Sequence, residues 1–270
     1  MARAIRADTA SAWRDRARYD RLLGFDRATW AWECLRRAIG HNLRMPCRAS
    51  WTLLRARPPL CVLTIRRCNF VCNRVLPLAA LGSLDDFTGH VFWCAERQAP
   101  TLTVDARSAL PGEVDLFDLH ALDHPIVVLR HPVDGEHVLI ADGPRCIRIA
   151  VRSGTLLAGP VHLDFHVTGD AQVETNILML RRLVSVCRLG RFPRTLFPPE
   201  RRARRWALAL QAWEGRQAGA SHREIARVIH GDATVRDEWL GTSDYLRTHI
   251  KRLLRTADTL IGGGWRHLLR

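Results

Sequence analysis

Three groups of side chains in this chain have types and spacings that could do chemistry. His162-x-Asp164-x-His166 would put two imidazoles and a carboxylate on one face of a strand, the ligand set of a non-heme iron centre. Same-face residues on a strand are, however, roughly 7 Å apart along it, and an amphipathic strand needs a polar face. We read the three residues as that solvent-side face. Cys61, Cys68 and Cys72, with Cys94 as a fourth, invite zinc, but only Cys68 and Cys72 have the paired spacing of a structural site. No metal and no other cofactor is expected. Nor does the chain show a nucleophile motif, a phosphate loop or a dinucleotide fingerprint, so it is not read as an enzyme.

The third group suits phosphate and base recognition. Ser221-His222-Arg223-Glu224 has the spacing of a capping box, in which the Ser221 hydroxyl accepts from the Glu224 N–H and Glu224 reaches back. Ile225, Ala226, Val228 and Ile229 then mark a short helix stopped by His230-Gly231. A second helix is expected from about Ser243 to Ile261, with Leu246, Ile250, Leu253, Leu254, Ala257, Leu260 and Ile261 on one face. That face directs Thr248, Lys251, Arg252 and Arg255 outward, with Asp244, and leaves Arg247 at the edge. A short capped helix followed by a basic one suits major-groove reading. Ser221, His222 and Arg223 would lie at the DNA, and Ser243, Asp244, Arg247, Thr248 and Lys251 would meet base edges. Arg252 and Arg255 would hold phosphates, together with Arg204 and Arg205 from the preceding helix. The link from Gly231 to Thr242 is longer than the usual turn. It is expected to be a polar loop, tucked down by Trp239 and Leu240.

The elements that position these residues divide the chain into four. Residues 1–37 read as a helical module with Trp13, Tyr19, Trp30 and Trp32, in which Asp26 caps the second helix. Three tryptophans are too many for so small a unit to bury, so it must dock on the rest of the chain or on a partner. Residues 38–100 are irregular, basic and cysteine-containing. Residues 101–168 read as a β meander of four strands with one buried face, including Ile147–Val151 and Val161–Val167. Residues 169–270 turn helical, with Val173, Ile177, Leu180, Leu183 and Val184 marking the first helix. The fold class is α+β: a small N-terminal helical module, an antiparallel β meander, and an all-helical C-terminal domain of helix-turn-helix-variant type.

Charge sharpens this division. The 41 Lys and Arg outnumber the 27 Asp and Glu, for a net charge of +14. Such an excess favours phosphate-rich partners. All the basic residues but Lys251 are arginines, which fits bidentate contacts and equally fits a GC-rich coding sequence. Residues 34–84 contain nine Arg and no acid, while residues 85–170 contain six Arg against thirteen acids. Residues 181–205 contain nine Arg and only Glu200. The missing acids of 38–84 fit either a divergent segment or an altered reading frame. The best apolar run, Val75 to Leu81, is too short to span a membrane, and the N-terminus lacks an apolar signal core. A cytoplasmic protein with reduced thiols is expected.

Several of these stretches together resemble a known family. Arg204-Arg-Trp-Ala-Leu-Ala-Leu, Ala220-Ser-His-Arg-Glu-Ile-Ala, Ser243-Asp-Tyr-Leu-Arg and Gly263-Gly-Trp resemble the DNA-binding domain of RovC-like transcription factors, as do Arg191-Phe-Pro and Leu196-Phe-Pro198. Trp13-Arg-Asp15, Tyr19, Trp30-Ala-Trp-Glu33 and Leu35-Arg-Arg37 resemble the short regulator-like module that often precedes it. The likeness covers residues 8–37 and about 160–270. Relatives follow Leu-Arg-Arg with Asn and Tyr, where this chain has Ala38-Ile39-Gly40-His41. The resemblance implies a proteobacterial DNA-binding regulator, an activator of type VI secretion or of conjugative-element genes. Its partners would be double-stranded DNA, RNA polymerase or another regulator, and further copies of itself, with no membrane. The alternative it carries is an antiactivator that binds another regulator instead of DNA.

Overall fold

The computed structural model describes residues 12–39, 51–55, 60–65, 75–77, 91–93, 100–131, 135–167, 169, 173–239 and 244–269. The chain forms two compact units. One combines residues 1–40 with 199–268, and the other holds 41–198 and the last two residues.

The second unit is built on a mixed sheet. Its strands are β1 (Trp51–Arg55), β2 (Leu60–Ile65), β5 (Leu102–Ser108), β6 (Ile126–His131), β7 (Gly135–Asp142), β8 (Arg145–Ser153) and β9 (Val161–His166), and β3 (Val75–Pro77) pairs separately with β4 (Val91–Trp93). Their order is β1-β2-β6-β7-β8-β5-β9. Strands β6, β7 and β8 form the expected antiparallel meander, and Gly143 at φ 56° makes the turn that brings Arg145 back to Asp142, 3.0 Å away. The fourth expected strand departs from the meander. β9 pairs with β5, which itself lies parallel on β8 with Leu102 beside Ile149 and Thr103 beside Ala150. The free edge of β8 is therefore already taken, and the chain must cross β5 before it can add β9. Gly154 makes that crossing possible: at φ 78°, a Cβ there would sit 1.9 Å from the Ala106 carbonyl oxygen.

The meander is buried on both faces, where one was expected. Val138, Leu139, Ile140 and Ala141 are consecutive and all fully buried, so alternation cannot describe β7. On one face Val104, Val128, Ile140 and Ile149 pack with Met179, Leu183 and Val186 of helix α3 (Val173–Leu189). The face of α3 also differs from the expected one. Asn176, Met179, Leu183 and Val186 point inward, while Ile177 and Val184 remain exposed.

The first unit is helical. Two N-terminal pieces, α1 (Ala17–Asp20) and α2 (Arg27–Ile39), pack on α4 (Ala203–Gln217) and α7 (Tyr245–Ile261), and α5 (His222–His230) and α6 (Asp232–Glu238) complete the unit. As expected, Asp26 caps α2: its carboxylate accepts from the Thr29 N–H at 2.7 Å. The N-terminal tryptophans dock on the C-terminal helices. Trp30 makes an edge contact with Trp206 at 5.4 Å between ring centres. The Trp13 ring lies over Gly215, where a Cβ would come within 3.0 Å of it. Gln211, also buried, donates its amide N–H to the Trp13 carbonyl at 3.1 Å. A buried ionic cluster fixes the same joint. The Tyr19 hydroxyl donates to Glu214 at 2.6 Å, and Arg37 bridges Glu214 and Glu33.

Candidate nucleic-acid interface

Helices α4, α5 and α7 carry the residues expected at DNA. The local reason for α5 is its cap. Ser221 Oγ accepts from the Glu224 N–H at 3.2 Å, and the Glu224 carboxylate accepts from the Ser221 N–H at 2.8 Å. His222 and Arg223 occupy the exposed first turn that this cap sets. Gly231 then reverses the chain at φ 92°, a conformation that favours glycine.

The segment after Gly231 corrects the sequence reading. Where a polar loop was expected, residues 232–238 form α6, and fully buried Val235 anchors it. Trp239 is half-buried, and Leu240 lies outside the described residues, as does Ser243. The sequence signal was weak because α6 is two turns long with a single apolar anchor, too short to show a period.

α7 buries the seven expected apolar residues, from Leu246 to Ile261. Lys251, Arg252 and Arg255 are exposed on its other side, and Arg204 and Arg205 are exposed in the first turn of α4. One hydrogen bond draws the two helices together at this surface: Arg205 Nη2 donates to Thr256 Oγ1 at 3.0 Å. The Thr256 hydroxyl donates in turn to the Arg252 carbonyl at 2.8 Å. Arginines from two helices far apart in sequence thus share one surface. Thr248 is half-buried, so it does not project fully outward as expected.

The arginines of this unit fall into two kinds. Arg216 pairs with Asp258, Arg227 with Asp232 at 3.5 Å, and Arg247 with Asp244. These hold the helices to one another or to themselves. Among the described residues, none of Arg204, Arg205, Lys251, Arg252 and Arg255 forms an ion pair with an acid. Their field is directed at solvent, which is the electrostatic footprint of an anion-binding face.

Sequence reasoning missed a ring cluster beside this face. His230, the last residue of α5, and His249 of α7 are hydrogen-bonded ring to ring, 3.0 Å between Nε2 and Nδ1. Tyr245 stacks on His249 at 5.9 Å with an angle of 21° between the rings. Burial lowers the pKa of both histidines, helped by each ring's cationic neighbours: His249 for His230, Arg252 and Arg205 for His249. The i, i+4 spacing of Tyr245 and His249 was the available signal.

The residues considered for a metal lie elsewhere. His162 Nε2 is 3.1 Å from Glu113, and His166 Nε2 is 2.5 Å from Asp105 on β5. Both are half-buried ties between β9 and its surroundings, not the solvent-side residues expected from alternation. Among the described residues no three of His, Cys, Asp or Glu gather closely enough to hold a metal. Cys68, Cys72 and Cys94, and the side chain of Cys61, lie outside the described residues.

The helical unit carries a basic outer face, an arrangement suited to a phosphate-rich partner. Residues 166–270 match the family model described as T6SS, transcription factor, DNA binding domain, of the RovC type. That match supports a DNA-binding transcriptional regulator. No curated relative matches the chain. No helix among the described residues is long and apolar enough to cross a membrane.

Proposed function

We propose that the chain is a cytoplasmic transcriptional regulator that binds double-stranded DNA and activates secretion or mobile-element genes. It acts without catalysis of its own. α7 lies in the major groove, and its seventeen residues span roughly 25 Å of helix. Arg252 and Arg255, with Arg204 and Arg205 from α4, hold phosphates on either side. The first turn of α5, with Ser221, His222 and Arg223, and the first two turns of α7, with Lys251 in the second, meet the duplex between them. The observation that carries this reading is the convergence of unpaired basic side chains from α4 and α7 at the Arg205–Thr256 bond, within the segment that matches the family model. Contacts with RNA polymerase, with another regulator or between copies of the chain fall to the remaining surfaces.

The test is a titration of the full-length chain against the duplex upstream of its own gene. Fluorescence anisotropy would be read between about 50 and 200 mM salt. Four phosphate contacts would give a slope of log K against log salt of about −3.6. Absence of salt-dependent binding to any duplex would overturn the proposal and favour an antiactivator that binds a protein.

A further inference from the structure

We infer that Tyr245 is a sequence-reading residue, packing its ring against the 5-methyl group of a thymine in the major groove. The inference rests on the DNA-binding reading and goes past it, because that reading assigns polar and basic side chains and gives the ring no role.

Four observations carry it. Tyr245 is the first residue of α7, and the N-terminal turn of a helix lying in the major groove is the part that meets base edges in helix-turn-helix proteins. It is 61 % exposed, and no other large apolar side chain described in this unit is exposed. Its ring is buttressed: it stacks on His249, which is hydrogen-bonded to His230 on another helix. A ring held in place before binding loses little freedom on contact, the reason rigid aromatics serve well at interfaces. Finally, Arg247, the expected base reader of the same turn, is committed to Asp244. The first turn of α7 therefore offers DNA an apolar ring where the sequence suggested a guanidinium.

The neighbouring charges say where that ring meets its target. Arg205 and Arg252 lie close enough to His249 to lower its pKa. Phosphates held by those arginines bring the groove floor to the ring stacked on that histidine. The thymine methyl is the one apolar mark that the major groove presents.

The experiment uses the full-length chain and the duplex it enriches from a random-sequence pool, with a scrambled duplex of equal composition as reference. Tyr245→Ala should weaken binding to the selected duplex by roughly 5- to 100-fold. Binding to the scrambled duplex and the salt slope should stay unchanged, because no phosphate contact is lost. Tyr245→Phe, which keeps the ring, should bind like the parent. Replacing the selected duplex's thymines by deoxyuridine removes only methyl groups. It should weaken the parent chain to a similar degree and cost Tyr245→Ala nothing further. Equal loss on both duplexes, or an undiminished preference in Tyr245→Ala, overturns the inference. So does a deoxyuridine effect of the same size in parent and variant. If the parent itself binds no duplex, the DNA-binding reading has failed first.

Discussion

Arg37 Nε donates to Glu214 Oε1 at 2.7 Å, joining residues 177 positions apart in a site where the arginine side chain is almost wholly buried. This bond ties α2 to α4, and so ties the N-terminal module to the helices that carry the basic face. Burial opposes ionising Glu214, but Arg37 and the Tyr19 hydroxyl outweigh it and hold its pKa below the ordinary carboxylate range. The same burial, with Glu214 beside it, pushes the Tyr19 phenol far up.

Breaking the pair from one side should be costly. Arg37→Ala leaves Glu33 and Glu214 buried without their shared cation, and should destabilise the helical unit by about 3–5 kcal/mol. Urea denaturation monitored by tryptophan fluorescence would measure it. A loss below about 1 kcal/mol would show that the cluster contributes little to the joint.

The N-terminal module should act as part of the DNA-binding bundle. Trp13 and Trp30 are buried against α4, at Gly215 and Trp206. Deleting residues 1–39 should therefore expose α4 and abolish the cooperative unfolding of the C-terminal helices. A truncated chain that melts as sharply and at the same temperature as the parent would show that the docking is dispensable.

The cap of α5 should be worth about 1 kcal/mol. Ser221→Ala removes the acceptor for the Glu224 N–H and leaves Glu224 without its reciprocal partner. Ser221→Asp restores an acceptor and should recover most of the loss. Equal stability of all three proteins in chemical denaturation would contradict the capping geometry.

Stability should fall on mild acidification through the ring pair. His230 and His249 are held below their ordinary value of 6.5, first by burial, then His230 by His249 and His249 by Arg252 and Arg205. Below about pH 6.5 the unfolded chain takes up protons that the folded rings resist. Their contribution is therefore whole above that pH and is lost as pH drops through their folded values. Denaturation curves from about pH 8 to about pH 5 would show the decline, and His249→Phe should flatten it. A decline of equal steepness in the variant would assign it to other groups.

The basic residues should separate by salt dependence. Arg252→Ala and Arg255→Ala should each lower the salt slope by about one unit and weaken all sequences alike. Arg247→Ala, whose guanidinium is tied to Asp244, should leave the slope nearly unchanged. A slope that responds to Arg247 and ignores Arg255 would place the phosphates elsewhere on the unit.

What the sequence determined by itself is what neighbouring residues decide among themselves. The Ser221–Glu224 box, the Asp26 cap and the apolar stripe of α7 are short-range, fixed by residues three or four apart. They were readable, and with them the helical unit and its basic outer side. Only tertiary structure decided which strand lies beside β8, because β5 enters from forty residues upstream, and strand order is a long-range choice that alternation cannot carry. Tertiary structure also brought α2 to α4, and made His230 and His249 a pair. Above all it sorted the arginines. Arg216, Arg227 and Arg247 look no different in sequence from Arg204, Arg252 and Arg255, yet the first three face carboxylates and the others face water. A side chain's charge is local, but what it is spent on depends on partners that only folding brings near.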